Sequence, residues 1–405
     1  IIYMLQNDFY QINYKNYIKY LISRNISRYS NIAYYIYFMW EIVDEYKSIF
    51  LVSLIPAFSF LGYIIISLPE GHIIDKYDRK KIFIITNILM VFVYLLLLIN
   101  KSLFFIYAVD FLSSLLMWVI SDDFRGITKE IIPENTMVKA QSLDQTSSGL
   151  FTLAGTLSGG FFIFLERRYF YLFLIVISVV AVIMILGNHP AKIYSNISIS
   201  NGFNYTFKII KSIIPFLLFT MLLNGLFVSL DVFSSALIYI ILRAPPIYYT
   251  FFIAGFPMGM LIGGIIAMKK FTEKSGLLKL FVFGIGAIFI FIALNRIAIL
   301  DSVLAVFLGI IIAFLNVYIE TLIINSVPNS ITGKFNSITT VFSGGSSPVM
   351  AVIFGILSEF IFFPYIIIIT GLIMMASSFM VNRIFNGFKD RMDGMKIIYP
   401  ELFRN

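Results

Sequence analysis

The chain has no cysteine and only two histidines, His72 and His189, among its 405 residues. Disulfides, thiolate-bound metals and cysteine nucleophiles are thereby excluded, and two histidines in expected loops build no metal cluster. Charge is scarce too: Asp, Glu, Lys and Arg make up 13% of the chain, about half the share of a soluble protein. Two or three water-soluble domains of this total length would lack the polar surface to stay apart. A Walker-type glycine loop is missing, so ATP-driven work would need a separate subunit. There is no nucleophile–base constellation, and an enzyme is not expected. The N-terminal stretch is rich in Tyr, Asn and Lys and does not show the order of a cleaved signal.

What is abundant is apolar surface: 59% of residues are hydrophobic and 17% aromatic, with a mean hydropathy of +0.91. The apolar residues fall in runs of about 18 to 25, matching the roughly 20 helical residues that cross a bilayer. Barrel strands would read as alternating segments of about 10 residues. An all-α membrane protein with twelve transmembrane helices in two pseudo-symmetric six-helix bundles is expected. The spans are placed at 17–40, 48–69, 82–99, 103–124, 137–164, 169–187, 212–241, 248–268, 278–295, 302–325, 337–359 and 364–384.

The formal charge of +8 would suit nucleic acid, but its distribution has another explanation. With the N-terminus inside, 22 of the 30 cations fall in cytoplasmic segments or at the cytoplasmic ends of spans and 6 in external loops, leaving Arg24 and Arg28 deeper in the first span. This is the positive-inside rule, and nucleic-acid binding is not needed. The stretch 188–211, with Asn188, Pro190 and a Ser/Asn run, reads as a cytoplasmic linker. It divides an N-terminal half, 1–187, from a C-terminal half, 212–384, and residues 385–405 form a cytoplasmic tail. An internal repeat supports the division. At a constant offset of 195, Pro133, Lys139, Ser142, Gly149 and Gly160 match Pro328, Lys334, Ser337, Gly344 and Gly355. Each segment leads from the fourth span of its half into the fifth, and duplicated six-helix halves are a transporter architecture.

Between spans two and three lies Gly71-His-Ile-Ile-Asp75-Lys76-Tyr-Asp78-Arg79-Lys80-Lys81. This spacing resembles the loop signature of the major facilitator transporters. With Asp78 before the basic pair, it is most similar to a branch of macrolide-efflux, siderophore-exporter-like and lysophospholipid-transporter-like proteins, the third drug:proton antiporter group. Segments 127–143 and 326–338 resemble that branch's loops in the two halves. In span five, Gly155-Thr156-Leu-Ser-Gly159-Gly160 resembles the exporters' antiporter motif, with Thr156 where a proline is usual; small residues at this spacing allow close helix contact. The resemblance implies that Asp75 and its loop latch the halves on the cytoplasmic side. A contact between Asp75 and Arg125 would serve that role. Asn31 stands where related sequences often carry an acid.

Ionisable groups inside spans are functional candidates by default. Asp110, Asp231, Glu320 and Arg28 are the proton or substrate candidates, with Asn31, Asn224 and Asn316 as orienting polar groups. Arg24 is expected to snorkel to the headgroups, and Asp122 and Asp123 to lie at the interface. Tyr34, Tyr35, Tyr37, Phe38 and Trp40, in the outer half of span one, are expected in an interfacial belt or against lipid.

These readings converge on a secondary exporter of a small hydrophobic or amphipathic compound, exchanged for protons. Uptake, lysolipid translocation and a non-transporting sensor are the alternatives. The expected partners are the substrate, protons and the bilayer, with no cofactor, no metal and a monomeric state, in the cytoplasmic membrane. The charge count makes a direct prediction. A phosphatase active only outside the cell will be active when fused at Lys101 or Arg296, and inactive when fused within 188–211. Activity in the linker fusion would invert the topology.

Overall fold

The computed structural model describes residues 11–76, 78–100, 102–132, 136–186, 213–270, 275–326 and 332–398. Twelve helices fill these segments, with no strand among the described residues. In order they are α1 (Gln11–Tyr46), α2 (Ile49–Lys76), α3 (Arg79–Ile99), α4 (Leu103–Ile131), α5 (Met137–Phe162) and α6 (Arg167–Ile185). Then follow α7 (Ile214–Ala236), α8 (Pro246–Lys270), α9 (Ser275–Leu294), α10 (Ala298–Ser326), α11 (Thr332–Phe360) and α12 (Phe363–Ile398). Each expected span overlaps a different one of these helices, and the seventh continues from α7 through a π-turn, Leu237–Ile241. The 188–211 linker lies outside the described residues.

Among the described residues, nine helices are long and apolar enough to cross a bilayer, which leaves α1, α5 and α11. Those three carry the Ser, Thr, Asn and Gly that weaken a hydropathy signal, and their polar groups meet neighbouring helices. Tyr17 donates to the Ala140 carbonyl at 2.8 Å and Asn25 to Ser147 Oγ at 2.9 Å, tying α1 to α5. Ser346 of α11 donates to the Met221 carbonyl of α7 at 2.9 Å. Satisfying polar groups on a neighbouring helix is what the bilayer requires of them.

Contacts gather into two compact units, one of residues 1–41 and 58–196, the other of 42–57 and 197–405. Within the first, α1 pairs with α5, α2 with α4, and α3 with α6. Within the second, α7 pairs with α11, α8 with α10, and α9 with α12. The same pairing order recurs, so the 195-residue repeat is a repeat of packing. The backbone carries it as well: Lys47, between α1 and α2, and Arg243, between α7 and α8, are the two described non-glycine residues with positive φ, at 54° and 49°.

Glycines set how closely these pairs approach. A Cβ on Gly155 would sit 2.8 Å from the Tyr29 carbonyl, and one on Gly159 would sit 2.6 Å from the Ala33 carbonyl. The span-five motif is thus the seam against α1, and Gly160 is buried beside it. In the second unit, Gly255 and Gly263 bring α8 equally close to the Ser302 and Ile310 carbonyls of α10.

One expectation fails here. Tyr34, Tyr37, Phe38 and Trp40 are buried, and only Tyr35 is partly exposed. Tyr37 stacks on Phe170 of α6 at 4.0 Å, Phe38 lies 6.2 Å from Tyr171, and Tyr34 lies 6.1 Å from Tyr94 of α3. Rings crowded on one helix end fill core as readily as they face lipid, and here α6 supplies matching rings.

Gly159→Leu will lower the melting temperature of the detergent-solubilised protein, because overpacking a tight seam costs about 1–3 kcal/mol. Gly264→Ala, at a site with nothing within 4 Å, will leave it unchanged or raise it slightly. Equal melting of Gly159→Leu and wild type would remove the seam from the account.

Candidate functional site

The first unit holds a polar cluster at its heart. Asp110 of α4 is fully buried, and Ser59 Oγ of α2 lies 2.9 Å from each of its carboxylate oxygens. One turn on, Ser113 receives a hydrogen bond from Asn31 Nδ2 of α1 at 3.1 Å and donates to the Asp110 carbonyl. Tyr34 donates to the Ile106 carbonyl at 2.5 Å, and Tyr94 reaches Ser30 at 3.5 Å. Two candidates far apart in sequence, Asn31 and Asp110, therefore share one hydrogen-bonded group. Asp110 is an acid away from bulk water with one hydroxyl as its partner among the described side chains, so it can exchange a proton without breaking an ion pair.

Arg24 does not snorkel. It is 5% exposed and forms a two-pronged ion pair with Asp144 of α5, while also donating to Asn25 Oδ1 at 2.8 Å and to Ser148. Its guanidinium lies 4.5 Å from the centre of the Phe124 ring. A carboxylate one helix away satisfies the cation better than a stretched route to the headgroups. Asp144 was invisible as a partner in sequence, because it sits in the polar segment entering α5. Arg28, one turn further along α1, is half-buried and makes no ion pair or hydrogen bond among the described residues.

At the α2–α3 connection, Asp78 is the N-cap of α3, accepting from the Lys81 amide at 3.2 Å. Arg79 reaches α4, where its Nε lies 2.7 Å from Glu130 and its Nη1 lies 3.9 Å from Asp123. A side chain on Gly126 would occupy the guanidinium's place. Asp123, expected at the interface, is instead fully buried, because α3 covers it. Burial pushes the Glu130 carboxyl above its ordinary range, and the Arg79 charge offsets part of that rise. Arg125 is exposed and pairs with Asp122 at 2.8 Å. Lys80 is partly exposed. The side chains of Gly71, Asp75, Lys76 and Glu320 lie outside the described residues, as does any Asp75–Arg125 contact. The arginine that joins this connection to α4 is Arg79. The motif supplies Arg79, but only the packing of α3 on α4 selects its partners.

In the second unit, Thr220, Asn224, Phe227 and Asp231 recur along α7 at helical spacing, Thr220 and Phe227 partly exposed and Asn224 and Asp231 exposed. Asn224 donates to the Thr220 carbonyl at 3.0 Å. Asp231 makes no side-chain hydrogen bond among the described residues. From Gly225 to Ala236 all residues of α7 but Phe227 and Asp231 are buried, so these two are the open positions of that half, while Ile214, Leu218 and Leu222 form a separate, apolar exposed face nearer the start of the helix. Six residues past Asp231 the helix widens into a π-turn, Leu237–Ile241, a distortion common at functional sites. Asn316 of α10 is exposed. No group of three acidic or histidine side chains suited to a metal occurs among the described residues.

Arg79→Ala will destabilise the protein by about 1–3 kcal/mol, since it leaves two shielded carboxylates without their cation. The sign of its pH dependence follows from Glu130. A carboxyl raised in the folded state adds stability below its unfolded pKa and loses it as pH rises through the folded value. Removing Arg79 raises that carboxyl further, so the melting deficit of the variant will shrink between about pH 8 and pH 5. A deficit that is constant over that range would show that Arg79 acts only by packing.

No curated protein matches the sequence. Among solved structures, a variant of the nucleoside transporter NupG superposes with a TM-score of 0.75 at 10% identity, covering 92% of this chain and 99% of its own. A bacterial homolog of the human lysosomal transporter Spinster gives 0.71 at 11% identity, covering 98% and 96%. A D-xylose-proton symporter gives 0.64 at 12% identity, covering 91% and 97%. At such identities these likenesses concern the fold. The sequence itself matches the family described as Major Facilitator Superfamily over residues 21–348, and with its repeated six-helix packing the chain belongs to that superfamily.

Proposed function

We propose that the chain is a secondary exporter of a small hydrophobic or amphipathic compound, working by alternating access of two six-helix halves in exchange for protons. The halves are 1–187 and 212–384, joined by a cytoplasmic linker, in a monomer of the cytoplasmic membrane with both termini on the cytoplasmic side. The observation that carries the reading is Asp231, an exposed carboxylate deep in a membrane-spanning helix and in register with Thr220 and Asn224. Lipid would penalise such a stripe by several kcal/mol, so the stripe faces a watery cavity where substrate and protons pass. Asp110 supplies a second acid, buried and able to hold a proton. The glycine seam of α5 supports export through its likeness to the antiporter motif.

A second reading rests on Arg28. A half-buried cation without an ion-pair partner among the described residues suits an anionic substrate group, as in a lysolipid or a carboxylate. Uptake with protons fits the same fold, which a D-xylose-proton symporter also adopts.

The test is flux in liposomes with an imposed pH gradient, screened against lipophilic cations, macrolides, siderophores and lysolipids. Gradient-driven export of one of them is expected, with Asp231→Asn falling to background. Asp110→Asn will retain binding and lose the response to the gradient. Flux that ignores the gradient overturns proton exchange, and no flux for any class points to the sensor.

A further inference from the structure

A cavity of about 430 Å³ opens between the N-terminal end of α7 and the C-terminal part of α12. Its floor is aromatic: Phe216 lies 4.5 Å from Phe388 and 5.3 Å from Phe385. Its walls are apolar and unusually open, with Leu218, Leu222 and Met380 each well exposed. Two side chains break the pattern, Arg383 and Arg391, both exposed and both lining the cavity.

Their placement is regular. Met380, Arg383, Ile384, Gly387, Phe388 and Arg391 follow one another at helical spacing, so they form one stripe of α12. Between the arginines sits Gly387, with nothing within 4 Å of where its Cβ would be. Two cations therefore flank an open notch at one end of an apolar trough. Depth fits as well. A helix entering hydrocarbon at Phe363 emerges after about 20 residues, at Arg383. Arg391 lies about 12 Å further along the axis, within the headgroup layer. The carboxylates Asp390 and Asp393 do not line the cavity.

We propose that this groove is a binding site for an anionic phospholipid, whose acyl chain lies against Leu218, Leu222 and Met380 while its phosphate pairs with Arg383 and Arg391. The trough matches a hydrocarbon chain in polarity, and the notch matches a phosphate in charge and room. A zwitterionic lipid would bring no net charge to match the two arginines, and a soluble anion would leave the apolar trough uncovered.

The test uses the purified full chain, stripped of lipid in detergent and titrated with phosphatidylglycerol or phosphatidylcholine of identical acyl chains. Bound lipid is read by native mass spectrometry and by melting temperature. Phosphatidylglycerol will bind more tightly by about five-fold for each arginine and raise the melting temperature. Arg383→Gln with Arg391→Gln will reduce its binding to the phosphatidylcholine level, whereas the paired lysine variants will keep the preference. Gly387→Leu, which fills the notch and leaves the charge intact, will weaken phosphatidylglycerol in particular. Glycerol phosphate alone will produce neither effect. Equal binding of the two lipids overturns the proposal, and so does an undiminished preference in the glutamine variant. So does a full effect of glycerol phosphate, which would mark a plain anion site. Absence of lipid binding, as expected if residues 188–211 or a second copy filled the groove, overturns it too.

Discussion

Hydrocarbon offers no hydrogen bonds, so a polar side chain that crosses it must find its partner on another helix or in a water-filled space. The remaining features of this protein depend on that constraint. The helices with the weakest apolar signal, α1, α5 and α11, all have hydroxyls or amides in hydrogen bonds with neighbouring helices. Close contact follows, because a hydrogen bond between helices needs backbones near one another, and Gly155 and Gly159 permit it. Where polar groups are left open, as along Thr220, Asn224 and Asp231, the proposed water-filled path is what would meet the same constraint.

The spans were legible in the sequence because bilayer thickness imposes their length, and the superfamily was legible because its loop spacing is exacting. The pairing of charges was much less so. Arg24 looked like a residue on its way to the headgroups, since nothing in a linear reading places Asp144 beside it. Asp123 and Asp122 look alike as neighbours, yet a rotation of 100° buries one under α3 and leaves the other with exposed Arg125. Tyr34, Phe38 and Trp40 show the same difficulty from the apolar side, because ring content does not say whether lipid or α6 receives the rings. Asp231 and Asn224 stand out differently. Their separation of seven residues is a helical period, so their shared face could be read from the sequence once both were suspected.

The two units differ in how they treat ionisable groups. In the first, most buried charges are neutralised in place: Arg24 by Asp144, Arg79 by Glu130, and Glu41 by Arg167. Asp110 and Arg28 are the described exceptions. Pairs of this kind favour one packing over its competitors more than they add stability. In the second, the described ion pairs are fewer, and close glycine contacts along α8 and α10 hold the helices, as Gly155 and Gly159 do in the first. Both units are keyed by shape, and the first adds charge.

The grouping of residues 42–57 with the second unit has its own consequence. The end of α1 and the start of α2 are covalently part of the first repeat, yet their contacts are with the second: Lys47 lies over the Tyr239 ring, and Gly355 receives Ser53 and Phe50. The polypeptide thus leaves its own unit at Glu41 and returns at Phe58, two residues after Pro56. Neither repeat is self-sufficient at its surface, and each is finished by, or lends, a piece of chain. A fragment that begins after residue 187 therefore lacks part of the unit it is meant to contain.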